Sequence, residues 1–146
     1  MIFNVNGPEG TEDIAKRLAK ALISEGRKRA FIALSGEMGV GKTVFCRAFS
    51  EMLGISGVKS PTYTIVNEHR STDGVRLYHF DLYRIESDDD LESIGYYDYI
   101  EKDGFSLVEW PSHAGDGIPT DAINVKISRV LGDEEKRTIE IDGITV

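Results

Sequence analysis

A chain of 146 residues is long enough for one domain that buries about two-thirds of the surface its unfolded form exposes, and 40% hydrophobic with 29% charged residues is a globular rather than a disordered composition. A net charge of −8 repels phosphate backbones, which argues against a broad basic face for direct DNA or RNA binding and leaves any nucleic-acid role to run through a partner. No apolar run approaches the ~20 residues of a membrane span, no basic-then-apolar signal opens the chain, and a single cysteine, Cys46, forms no intramolecular disulfide, so a cytoplasmic protein without membrane contact is expected.

With no repeat, low-complexity tract or linker, residues 1–146 read as a single domain. "FNV" predicts a short first strand, and Thr11 stands where an N-cap belongs, ahead of Glu12 and Asp13. Ile14, Leu18 and Leu22 then form one apolar helical stripe that Gly26 stops. "AFIALSG" is a nearly continuous apolar run, the pattern of a strand covered on both faces. Phe45, Ala48, Phe49 and Met52 make the inward stripe of a second helix ending near Gly54, and "YTIVNEH" and "VRLYHFDLYR" are two strands around the turn "STDG". Ser87 with Asp90 is a capping-box spacing that opens a short helix through Leu91 and Ile94 to Gly95. "FSLVEW" is a further strand closed by Pro111, and two alternating segments around "GDEEK" predict a terminal hairpin. The order implies an α/β domain with a mixed parallel and antiparallel sheet flanked by helices.

Between the buried strand and the second helix lies "GEMGVGKT", with Gly36, Gly41, Lys42 and Thr43 in the spacing G-x-x-x-x-G-K-T and Gly39 inside it. A strand before and a helix after are the context a P-loop needs. Glycines let the backbone turn its N–H groups inward around phosphates, Lys42 supplies a point charge, and the Thr43 hydroxyl is placed to ligate Mg²⁺. The bland reading, a glycine turn with an incidental "GKT", fits neither flank. A nucleotide triphosphate site is therefore expected here.

Binding alone is not turnover. Asp81 ends "LYHFD" and Glu109 ends "FSLVE", each where the carboxyl end of a strand carries an acid towards the phosphates; either could hold Mg²⁺ or polarise a water, and either alone could equally be a surface carboxylate. "SPTYT", residues 60–64, is a proline-stiffened hydroxyl-rich loop able to close as a switch, or simply a turn entering a strand. Trp110 and Tyr83 are more often core or surface packing residues than nucleotide-stacking ones. Cys46 on an apolar helix face reads as a small buried hydrophobe, His69, His79 and His113 have no ligand-like spacing, so no zinc site is expected, and "DDD" at 88–90 is an acidic first turn rather than a metal cage.

The ordered set "GEMGVGKT", "VKSPTYTIV", "HFDLYRI" and "LVEWP" resembles the TsaE (YjeE) family over nearly the whole chain. The resemblance implies a small P-loop ATPase that uses ATP and Mg²⁺. It also implies partnership with TsaB and TsaD in threonylcarbamoylation of the adenosine beside the anticodon of ANN-decoding tRNAs. Glu37, Met38, Gly39, Val40, Gly41, Lys42 and Thr43 would wrap the phosphates, with Thr43 and Glu109 as magnesium ligands. Asp81 would be the acid required for hydrolysis, Thr62 part of a switch loop acting with Asp81 and Lys42, Trp110 a neighbour of the nucleotide, and Thr11 a contact at the entrance to the first helix. Met38, Val40 and Val44 depart from the family's usual residues without touching a side-chain phosphate contact. The rival readings are a small-molecule P-loop kinase and a non-catalytic nucleotide sensor. "SHAGDGIPTDAINV" after "EWP" lacks the arginine that a kinase lid needs, and Asp81 with Glu109 argues against the sensor.

Overall fold

The computed structural model describes residues 1–58 and 65–146, so the expected switch loop at 60–64, Thr62 included, lies outside the described residues. Seven strands among the described residues form one sheet: β1 (Ile2–Asn6), β2 (Arg29–Gly36), β3 (Val66–Arg70), β4 (Arg76–Asp81), β5 (Gly104–Glu109), β6 (Ile123–Val130) and β7 (Asp133–Asp142), in the spatial order β1-β7-β6-β2-β5-β4-β3. The central four, β6, β2, β5 and β4, run parallel, while β1–β7, β7–β6 and β4–β3 are antiparallel. The mixed α/β sheet expected from the order of elements is therefore present, and its parallel centre brings the ends of β2, β4 and β5 to one edge.

Period-two alternation along β2 explains why the sheet is covered twice. Ile32 and Leu34 join a core under α1 (Gly7–Ser24) and α2 (Lys42–Met52), while Phe31 and Ala33 join a second core under α3 (Asp88–Ser93) and α4 (Tyr96–Glu101). On α1 the stripe Ile14, Leu18 and Leu22 is buried as its spacing predicts. Phe45 and Phe49 of α2 stack at 6.5 Å and are likewise buried, while Met52 lies half-buried at the margin of that core.

Four details differ from expectation. The first helix starts at Gly7, so Thr11 is not its N-cap: Asn6 holds that position in an extended conformation, with Pro8 in the first turn. Proline has the fixed φ a first turn needs and lacks only an N–H that would be unpaired there. Thr11 falls one turn inside, on the buried face. Next, "YYDYIE", with no helical stripe of its own, forms α4 because Tyr96 wedges edge-on between Phe31 and Phe80, at 6.3 and 5.5 Å. A tight 3₁₀ segment, Pro111–Gly117, also follows β5. Finally, "GDEEK" is mostly strand: β7 begins at Asp133, leaving Leu131 and Gly132 to turn the hairpin beside an irregularity at Arg129/Val130. The capping spacing at Ser87 is real, its hydroxyl accepting from the Asp90 N–H at 3.3 Å. No helix among the described residues is long and apolar enough to cross a membrane.

Candidate functional site

β2 ends at Gly36 and α2 begins at Lys42, so the glycine loop crosses the carboxyl edge of the parallel strands, the place where open α/β sheets take ligands. Gly39 and Gly41 have φ of 77° and 118°, backbone that side-chain-bearing residues rarely adopt. A turn closes within the loop, where the Val40 N–H donates to the Glu37 carbonyl at 3.2 Å. Two arginines from the terminal hairpin fasten it from outside. Arg137 Nε donates to the Val40 carbonyl at 2.9 Å, and Arg129 Nη2 donates to the Met38 carbonyl at 3.0 Å. Arg129 also lies 3.7 Å from the exposed Glu37 carboxylate. Both arginines contact the loop's own carbonyls, so their role there is to hold its shape.

The expected acids arrive by register. Asp81 and Glu109 are direct partners across β4 and β5, and Glu109 pairs with Leu34 of β2, so both carboxylates stand beside the loop. A cleft of about 320 Å³ is lined by Met38, Gly39, Gly41, Lys42, Thr43, Val44, Asp81, Glu109 and Trp110. Lys42 is largely buried and its ammonium lies 4.7 Å from the centre of the Trp110 ring, a cation–π contact that places both at the cleft. Trp110 sits at φ 56°, outside ordinary strand backbone, and packs with Tyr83 and His113 at 5.1 and 5.7 Å. One oxygen of Asp81, Oδ1, is occupied by the Tyr83 N–H at 3.0 Å, which orients the carboxylate.

Thr11 is not in this cleft. It lines an adjoining one, about 280 Å³, with Gly7, Pro8, Gly39, Val40, Gly41 and Arg137, on the other side of the loop from Trp110. The structure thus brings nearly all the expected residues around one loop. Val40 borders only the adjoining cleft, Glu37 points outward with its side chain 79% exposed, and Thr62 is not described.

Sequence reasoning missed three contributors. His79 is fully buried, and its Nε2–H donates to Glu109 Oε2 at 2.7 Å. Its signal was the alternation in "RLYHFD", which puts Leu77, His79 and Asp81 on one face of β4. Cys46 is buried in the core as its helix face predicts, and its Sγ also lies 3.6 Å from the same Nε2. Burial pushes the Cys46 thiol well above its usual range, and the nearby Glu109 carboxylate adds to that rise. The third contribution, the arginine pair, had no local signal at all: Arg129 and Arg137 follow the loop by some ninety residues.

With the geometry in hand, comparison with known proteins gives one consistent answer. The family model described as threonylcarbamoyl adenosine biosynthesis protein TsaE matches residues 5–139. A Bacillus subtilis protein named tRNA threonylcarbamoyladenosine biosynthesis protein TsaE is 39% identical over 138 residues, 93% of this chain and 82% of that one. Its namesake from Haemophilus influenzae is 40% identical over 109 residues, 73% of this chain and 68% of its own. The crystal structure of Bacillus subtilis YdiB superposes with a TM-score of 0.73 at 28% identity, covering 99% of this chain and 86% of that one.

Proposed function

The chain belongs to the TsaE family, and from that premise we propose that it binds ATP and ADP with Mg²⁺ on the glycine loop and hydrolyses ATP in support of TsaB and TsaD homologues, which bring the tRNA. The observation that carries this reading is the convergence of Lys42, Asp81 and Glu109 on one cleft at the carboxyl edge of the parallel strands.

Each residue has a role that its position supports. The proposal seats an anion at the loop N–H groups between Glu37 and Thr43, that of Val40 excepted, and at the N-terminus of α2, where Lys42 adds a full charge. Thr43 and Glu109 offer a hydroxyl and a carboxylate, hard oxygen donors of the kind Mg²⁺ takes. His79 holds Oε2 of Glu109, so the proposal assigns Oε1 to the ion. Bound there, magnesium supplies neutralisation of phosphate charge. Asp81 faces the cleft with one oxygen pinned by Tyr83, and the other orients and polarises the attacking water. Trp110 walls one side of the phosphates and Thr11 borders the cleft opposite, towards the rest of the nucleotide. Thr62, outside the described residues, is assigned to the γ-phosphate by the family resemblance alone.

The test is phosphate release by the isolated chain and by the chain with TsaB and TsaD homologues. Slow release alone is expected, because the proposal has the partners complete the positioning of water and the exclusion of solvent. The partners are expected to raise it, and Thr62→Ala to blunt the rise. Transfer of γ-label to a small hydroxyl acceptor, indifferent to partners, would make this a small-molecule kinase; binding with no hydrolysis under any condition would make it a nucleotide sensor.

A further inference from the structure

Behind the cleft wall, three side chains converge that share no obvious reason to be together. Cys46 of α2, His79 of β4 and Glu109 of β5 offer Sγ, Nε2 and a carboxylate oxygen that all lie within 4.8 Å of one another, and all three residues are buried. His79 Nε2 carries one hydrogen, which goes to Glu109 at 2.7 Å, while the Cys46 sulfur faces the same nitrogen at 3.6 Å. Sulfur, nitrogen and oxygen donors thus stand together, separated only by the thiol proton and the imidazole proton that Glu109 accepts. A cation would satisfy all three.

We propose that Cys46, His79 and Glu109 form a binding site for a thiophilic divalent cation, Zn²⁺ above all. The spacing supports this ion in particular. Zinc–sulfur and zinc–imidazole bonds of about 2.3 and 2.05 Å at a tetrahedral angle hold S and N about 3.5 Å apart. The Cys46–His79 separation is 3.6 Å, so those two ligands are already placed. The Glu109 oxygen, now 2.7 Å from the nitrogen, must withdraw by about 0.7 Å, a small rotation of a side chain that already borders the open cleft. On coordination the thiol proton leaves to solvent and the His79 proton moves to Nδ1, which has no hydrogen-bond partner among the described residues. The thiolate and carboxylate charges then balance the ion. Of the three ligands only Glu109 lines the cleft, so the ion enters from that side, past the Lys42 ammonium. Magnesium prefers oxygen and leaves a sulfur–imidazole pair alone, so the two ions contend only for Glu109. Zinc in this pocket therefore opposes magnesium-dependent nucleotide binding. That consequence rests on the proposed function; the zinc site itself does not.

Cobalt(II) titration of chelator-treated protein, with no nucleotide present, is decisive because Cys46 is the only cysteine. The expected result is a 1:1 complex with a thiolate-to-cobalt charge-transfer band and the intense visible bands of a four-coordinate ion, all erased by Zn²⁺. The circular dichroism of the fold should be unchanged. Cys46→Ser is expected to lose the charge-transfer band and to weaken Zn²⁺ binding about tenfold or more. Folded wild-type protein without that band, or equal zinc affinity in wild type and variant, overturns the site. Should the variant not fold, the wild-type spectrum decides alone, and nucleotide binding stands or falls separately.

Discussion

Two carboxylates that are register partners on neighbouring strands make different contacts, and those contacts predict different failures. Glu109 is largely buried and held by His79, whereas Asp81 is more open and anchored through one oxygen to the Tyr83 N–H. Glu109→Ala is expected to weaken the magnesium dependence of ATP binding, because it removes the carboxylate proposed as a metal ligand. Asp81→Asn keeps the shape and the acceptor for Tyr83 but removes the charge, so calorimetry should find binding retained while phosphate release falls. Equal losses of metal-dependent binding in both variants would show that the roles have been divided wrongly. Lys42 is buried against Trp110, so its charge is little screened and is directed at the cleft. Lys42→Ala is expected to cost about 1.5–3 kcal/mol of nucleotide binding, or roughly ten- to a hundredfold in affinity. Because that ammonium lies 4.7 Å from the centre of the only tryptophan ring, the same variant should change Trp110 emission even without ligand. ADP should change it in the wild type, and a flat titration beside calorimetric binding would move the nucleotide away from Trp110.

At the scale of elements, capping and one tyrosine contact separate local from tertiary causes. The Ser87 hydroxyl caps α3, whereas Asn6 at the start of α1 makes no side-chain cap bond. Ser87→Ala is thus expected to cost about 1 kcal/mol in chemical denaturation and Asn6→Ala distinctly less. Tyr97 of α4 donates its hydroxyl to Asp88 of α3, and that hydrogen bond, with some burial, raises the phenol to about 12. The folded chain keeps a proton that the unfolded chain loses near pH 10, so this contact contributes fully below about pH 10 and is lost as pH climbs towards 12. Melting curves across that window should show wild type losing its advantage over Tyr97→Phe; a constant difference would remove the linkage. The contrast also marks what a sequence can carry. The glycine loop, the α1 stripe and the Ser87 cap depend on residues a few positions apart, so their patterns are visible in the chain. The existence of α4 depends on Phe31 and Phe80 closing around Tyr96, and the loop's outer clamps come from Arg129 and Arg137. The Cys46–His79–Glu109 cluster joins three elements. Asp81 and Glu109 were legible as strand ends, but their pairing became visible only with the register.

Across the whole molecule, charge is unevenly placed. The net charge is −8, yet Arg27, Lys28, Arg76 and Lys102 gather around a cavity of about 640 Å³ where β4 and β5 begin, the edge opposite the glycine loop. Nucleic-acid affinity from phosphate contacts scales with the cations that displace counterions, about 0.9 units of salt slope for each phosphate neutralised on duplex and less on single strands. Four cations, one of them already paired with Glu25 at 2.7 Å, can support a slope no steeper than about 4. A molecule otherwise negative also opposes the approach. The isolated chain is therefore expected to show no retention of tRNA in filter binding or gel shift at physiological salt. A weak association at low salt should vanish when Arg76 and Lys102 are both changed to Gln. The TsaB and TsaD homologues would then supply the tRNA contact, with this chain adding nothing measurable to the salt slope of the assembled complex. Tight binding by the isolated chain with a slope well above 4 would require a basic surface that the described residues do not present, and would replace indirect tRNA engagement with a direct one.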